Sequence, residues 1–150
     1  IVSSYSIVPN EKIRECFYTY LESSELQDGH IFAYTATEAA YNHGDEWLTE
    51  AKEYIRENIY FVDEYLKEKI PQIKTMIPDA SFLVWLDCRE LNLSQPELED
   101  LFVKDSKLAL NSGTMFGAGG EGFMRMNVGC PKIILEKALD QLTRAITSKC

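Results

Sequence analysis

The 150 residues are enough for a domain with its own core, and a composition of 45% hydrophobic and 26% charged residues belongs to a folded chain, not a disordered one. A net charge of -9 argues against nucleic acid or an anionic membrane as a partner, and no apolar run approaches the ~20 residues of a membrane span. Four scattered cysteines and two histidines assemble neither a zinc pattern nor a disulfide framework, so reduced thiols and a cytoplasmic protein are expected.

In chain order, "YSIVP" (5–9) reads as a short strand entering a turn. The amino end lacks an initiator methionine and the basic start of a signal peptide, and it opens inside this strand-like run. A piece of a longer protein is therefore expected. Its bare apolar edge should be disordered, repacked or self-associated through residues 1–8. Asn10 is placed to cap a helix carrying Ile13, Cys16, Phe17, Tyr20 and Leu21 on one face. "DGH" (28–30) is a break, and an alanine-rich helix follows and ends at Gly44. From Asp45 a long stripe (Leu48, Ile55, Ile59, Val62, Leu66, Ile70) predicts a helix on the order of 40 Å long, closed by Pro71 and Pro78.

"ASFLVWLDC" (80–88) is a continuous apolar run and reads as a buried strand. Ser94 and Glu97 form a capping box, with Pro96 in the first turn. "KLALN" (107–111) and "GFMRMNV" (122–128) are predicted strands, and Pro131 opens the last helix, with Leu135, Ala138, Leu139, Leu142 and Ile146 buried. The fold class is α+β: a small antiparallel sheet packed with helices, preceded by a long connector helix.

"GAGGEG" (117–122) satisfies a dinucleotide-binding glycine pattern, but a strand follows it where that motif needs a helix. A glycine loop between strands is expected instead. Alternation in the 122–128 strand sends Met124, Met126 and Val128 to the core and Phe123, Arg125 and Asn127 to the other face. An unpaired guanidinium in such company is costly. Its planar fork matches a carboxylate, and from spacing alone that carboxylate is either an external ligand's or an internal one such as Asp87 or Glu121. Asp87 with Arg89 reads as a local ion pair, His43 as a helix-end residue, and Lys107 as a surface lysine. Ser3 and Ser4 have no triad partners.

The segments "YSIVPNEKIRECF", "ATEAAYNHGDEWL", "YIRENIYFVDEYL", "SFLVWLDCRELNLSQPELEDLFV" and "ALNSGTMFGAGGEGFMRMNVGCPKIILEKALDQL" together resemble the C-terminal part of a fold-type I enzyme dependent on pyridoxal 5'-phosphate (PLP). The resemblance is to the class I/II aminotransferase superfamily and, within it, to cystathionine β-lyase-like C–S lyases. It implies that 1–26 is the last strand and helix of a cofactor-binding large domain, 27–77 the alanine-rich and inter-domain helices, and 78–150 the small domain. It assigns the substrate α-carboxylate to Arg125, with Asn127 beside it. No catalytic or cofactor-binding residue falls in this chain, which alone is expected to be inactive and to bind no cofactor. The full-length enzyme is implied to be a PLP-dependent homodimer releasing pyruvate, ammonia and a thiol from a small amino-acid substrate. An aminotransferase is the alternative within the superfamily, and a stand-alone carboxylate-binding domain the alternative outside it.

Overall fold

The computed structural model describes residues 4–26 and 28–148. They fall into two compact units, 1–50 and 51–150. In the first, α1 (Glu11–Ser23) begins as expected, with Asn10 Oδ1 accepting from Ile13 N at 3.1 Å. α2 (Ile31–His43) has a cap the sequence reading missed, since His30 Nδ1 accepts from Phe32 N at 3.2 Å. It stops at Gly44, where a Cβ would sit 2.4 Å from the Ala40 carbonyl oxygen, and α3 (Asp45–Lys69) starts at the next residue.

The strand expected at 5–9 does not form. A strand needs a neighbour for its backbone donors and acceptors, and no described residue pairs with this one. The segment is tied down otherwise: Arg14 Nη1 donates to the Val8 carbonyl at 3.0 Å, and the Tyr5 hydroxyl meets that of Tyr41 at 2.7 Å. Residues 1–3, the start of the segment expected to self-associate, lie outside the described residues.

The second unit is built on an antiparallel sheet in the order β1-β2-β4-β3: β1 (Lys74–Met76), β2 (Leu83–Asp87), β4 (Phe123–Asn127) and β3 (Asn111–Ser112). β1 is new relative to the sequence reading, because three residues between Pro71 and Pro78 are too few to show alternation. The strand expected from Lys107 shrinks to β3. Lys107 takes a left-handed φ of 59°, and the Leu110 amide donates back to the Leu108 carbonyl at 3.1 Å, so the chain turns where it was expected to extend.

The expectation of a wholly buried β2 is also corrected. Val84 and Leu86 are fully enclosed, whereas Leu83, Trp85 and Asp87 are only half-buried. β4 matches its predicted alternation, with Met124 and Met126 inside and Phe123 and Arg125 half-buried. The sheet therefore has one dry face and one open face. The dry face shares a core with Val62 and Leu66 of α3 and with Leu139 and Leu142 of α5 (Lys132–Thr147). The predicted capping box starts α4 (Gln95–Asp100), where Ser94 N donates to Glu97 Oε2 at 2.9 Å. A widened π turn over Leu101–Asp105 follows and drives Leu101 and Phe102 into the core.

Three polar residues of α3 fasten this unit together. Asn58, 1% exposed, donates from Nδ2 to the carbonyls of Val128 and Cys130, each at 2.9 Å, and so clamps the turn after β4. The Tyr54 hydroxyl accepts from Lys132 N at 2.8 Å, serving the start of α5, where Pro131 has no side chain to cap with. Buried Asp63 accepts from Lys67 Nζ at 2.6 Å and from the Thr75 hydroxyl, joining α3 to β1. Burial pushes its pKa up, but the hydrogen bonds from Lys67 and Thr75 outweigh burial and hold the carboxyl below its ordinary 3.8.

Asn58→Ala would leave two carbonyls without their donor and should cost about 1–3 kcal/mol in urea unfolding. Because the folded pKa of Asp63 is depressed, its contribution to stability is complete above pH 3.8 and lost as pH falls through the lower folded value. Asp63→Asn should therefore flatten part of the acid loss. Superimposable acid profiles for the two proteins would dismiss this role.

Candidate functional site

On the open face, β4 sets Arg125 opposite Trp85 of β2 and opposite Asn111 of β3. A guanidinium has five N–H donors, and among the described residues this one makes a single hydrogen bond, from Nη2 to Asn111 Oδ1 at 3.1 Å. Its Cζ lies 4.3 Å from the centre of the Phe116 ring, a cation–π contact. Nε is buried and has no partner. Among the described residues Arg125 belongs to no ion pair.

Neither internal acid offered by the sequence forms an ion pair with Arg125. Arg89 forks onto Asp87, Nε to Oδ1 at 2.9 Å and Nη2 to Oδ2 at 2.7 Å, and this holds the Asp87 carboxyl below its usual range. Glu121 is exposed. Asn127 follows Arg125 on the same face, with its Oδ1 accepting from Gly129 N at 2.8 Å and its amide nitrogen still a donor. The structure brings none of the other weighed residues here. Lys107 and Ser4 are exposed, Ser3 lies outside the described residues, and His43 ends α2. Cys88, beside Asp87, has its thiol pushed up to about 12 by burial, with the Asp87 charge adding to it, and is no nucleophile.

Beside Arg125 lies an apolar pocket of ≈ 320 Å³ lined by Met76, Trp85, Phe116, Gly119, Gly120 and Phe123. Its rings interlock edge to face, with centroids 5.3 Å apart for Trp85 and Phe116 and 6.4 Å for Trp85 and Phe123. One wall is the glycine loop, which makes two short 3₁₀ turns and leads into a strand, as expected. A Cβ at Gly113 would lie 2.1 Å from the Gly120 carbonyl oxygen, and one at Gly120 2.0 Å from that of Gly113. Only glycine at both positions lets the loop fold back on itself so closely.

Gln95 secures that loop at both ends, and the sequence reading did not single it out. It is 8% exposed; Nε2 donates to Ser112 Oγ at 2.7 Å and Oε1 accepts from Gly122 N at 2.7 Å. Its position just after the Ser94 cap was the one available hint, because a first-turn side chain points away from its own helix body and toward whatever packs there.

No family model matches the chain. Over 145 residues it is 39% identical to cystathionine β-lyase PatB of Bacillus subtilis, covering 97% of this chain and 38% of that protein. It superposes on a PLP-containing cystalysin from Treponema denticola with a TM-score of 0.93 at 26% identity, covering 96% of this chain and 36% of that one. A PLP-bound protein of Clostridium difficile 630, classed provisionally as an aminotransferase, gives a TM-score of 0.91 at 38% identity, covering 93% of this chain and 36% of that one. The chain belongs to the PLP-dependent C–S lyase and aminotransferase superfamily of fold type I.

Within this superfamily the chain spans about a third of its relatives' length. Its own residues do not fit PLP. The cofactor needs a sheltered lysine to carry it, and every lysine among the described residues is exposed. No helix of the described residues is long and apolar enough to cross a membrane.

Gln95→Leu should release both ends of the glycine loop and cost about 1–3 kcal/mol of stability. Amide exchange at Gly122 should quicken while Met124 and Met126 keep their protection. Unchanged exchange at Gly122 would show that Gln95 does not hold the loop.

Proposed function

We propose that this chain is the substrate-carboxylate-binding portion of a PLP-dependent C–S β-lyase of the cystathionine β-lyase type, a cytoplasmic homodimer when full length. Arg125 receives the α-carboxylate of a small amino-acid substrate through its unpaired edge, and Asn127 offers a second donor from its amide. The observation that carries this reading is the guanidinium itself: half-buried, stacked on Phe116, bonded only to a neutral amide, with Nε unpartnered. A charge so placed gains most from an anion that arrives from outside.

The division of labour follows from chemistry. PLP, carried by residues outside this chain, supplies the electron sink that makes the bonds at the α-carbon labile. This chain supplies grip and orientation, because a carboxylate fixed by two parallel hydrogen bonds cannot rotate. By itself the chain is expected to turn over nothing. Residues 1–26 would belong to the cofactor-binding domain, 27–77 to the connecting helices and 78–150 to the small domain. An aminotransferase is the second reading, favoured by the 38% identity to the Clostridium difficile protein. Pyruvate and thiol release from cystathionine, against amino-group transfer to a keto acid, separates the two.

In the full-length enzyme, Arg125→Ala should cost about 3–5 kcal/mol in kcat/KM. Arg125→Lys should recover only part of it, since an ammonium presents no fork. The wild type should strongly prefer an amino acid over its carboxamide, and the alanine variant should not. Retention of that preference in Arg125→Ala would refute the assignment.

A further inference from the structure

Two arginines of this unit lie over phenylalanine rings, and the chain treats them differently. Arg89, with its Cζ 4.9 Å from the Phe123 centroid, has its fork filled by both oxygens of Asp87. Arg125, with its Cζ 4.3 Å from the Phe116 centroid, is met by Asn111. Asparagine is aspartate with an oxygen replaced by an amino group, so it offers the same reach and a carbonyl acceptor but no charge. The first arginine is neutralised from within. The second is held and left cationic.

Register puts Asn111 there. It stands directly opposite Arg125 on the β3–β4 pair, and such partners have Cβ atoms about 5 Å apart. Arginine has donors only, so the amide turns its oxygen toward the guanidinium, and Nδ2 is left to donate to Met115 Sδ at 3.8 Å. The next residue, Ser112, accepts from Gln95 Nε2 at 2.7 Å, which pins the short strand that carries Asn111. The guanidinium is thus aimed by an amide at one terminal nitrogen and by a ring against its plane. An arginine side chain is long and rich in rotamers, and holding it before a ligand arrives removes part of the ordering cost of binding. An aspartate would hold it as firmly and cancel the charge that an anion needs.

We propose that Asn111 is a positioning residue for Arg125: its neutral amide aims the guanidinium without discharging it, and so sets how tightly the site can hold a carboxylate. The proposal rests on the proposed role of Arg125 in carboxylate binding. It also fixes two signs. Asn111→Asp keeps the shape and supplies the ion pair that Arg125 lacks among the described residues, so it should stabilise the fold and weaken the ligand together. A residue that served only the fold would not set those two quantities against each other.

Calorimetric titration of the full-length protein with propionate, beside thermal unfolding, reads both without turnover. Asn111→Asp should weaken propionate about tenfold or more and raise Tm. Asn111→Glu, the second acidic variant should the first fail to fold, should do the same. Asn111→Leu removes the acceptor and adds no charge, so it should weaken propionate about threefold or less and leave Tm no higher. The Tm gain of Asn111→Asp should vanish when Arg125→Ala is added, because the new carboxylate then has lost its cation. Unchanged propionate affinity in the acidic variants, equal weakening by Asn111→Leu and Asn111→Asp, or a Tm gain that survives Arg125→Ala overturns the role of Asn111. Full propionate affinity in Arg125→Ala alone overturns the carboxylate reading instead.

Discussion

A guanidinium without a carboxylate is the constraint around which the second unit is organised. Arg125 rests on Phe116, donates to Asn111 and faces Trp85 across the strand pair, so an aromatic surface and one neutral amide are its main company. Such an environment desolvates the charge in part and returns only part of the cost. On the proposed reading, that deficit would give an incoming anion its advantage. It also explains why Asp87 is tied to Arg89, since a released carboxylate two residues along the same face would compete for Arg125.

Holding that arrangement open requires a sheet with two unlike faces. Val84, Leu86, Met124 and Met126 anchor one face in the core, and α3 and α5 close over it. The other face can then remain concave and half-exposed without loss of stability. Buried amides fix its borders: Asn58 holds the turn that ends β4, and Gln95 ties the glycine loop to β3 and to the entry of β4. Asn58 bonds two backbone carbonyls and Gln95 one backbone amide and a serine hydroxyl, and each ties down the border of the site without putting a charge in it.

Similarity to C–S lyases and to an aminotransferase fits this partition of tasks. On the proposed reading a carboxylate grip would be useful to either reaction, because every amino-acid substrate has the same acid end. The reaction is decided where the cofactor is held, and the lysines described here are too exposed for that office.

Local chemistry was legible in the residues. The Asn10 and Ser94 caps, the α3 stripe and the β4 alternation depend on neighbours within a turn or two, and they came out as read. Arg125 stood out for the same reason, as a cation in an apolar alternating run. Tertiary structure decided the rest. It left 5–9 without a strand partner, cut the 107–111 strand to two residues, and opened one face of β2. It also buried Asn58, Asp63 and Gln95, whose partners in Val128, Cys130, Thr75, Ser112 and Gly122 are 12 to 72 residues away in sequence. A hydrogen bond between distant residues leaves no periodicity behind, so only the folded chain could reveal which polar side chains hold it together.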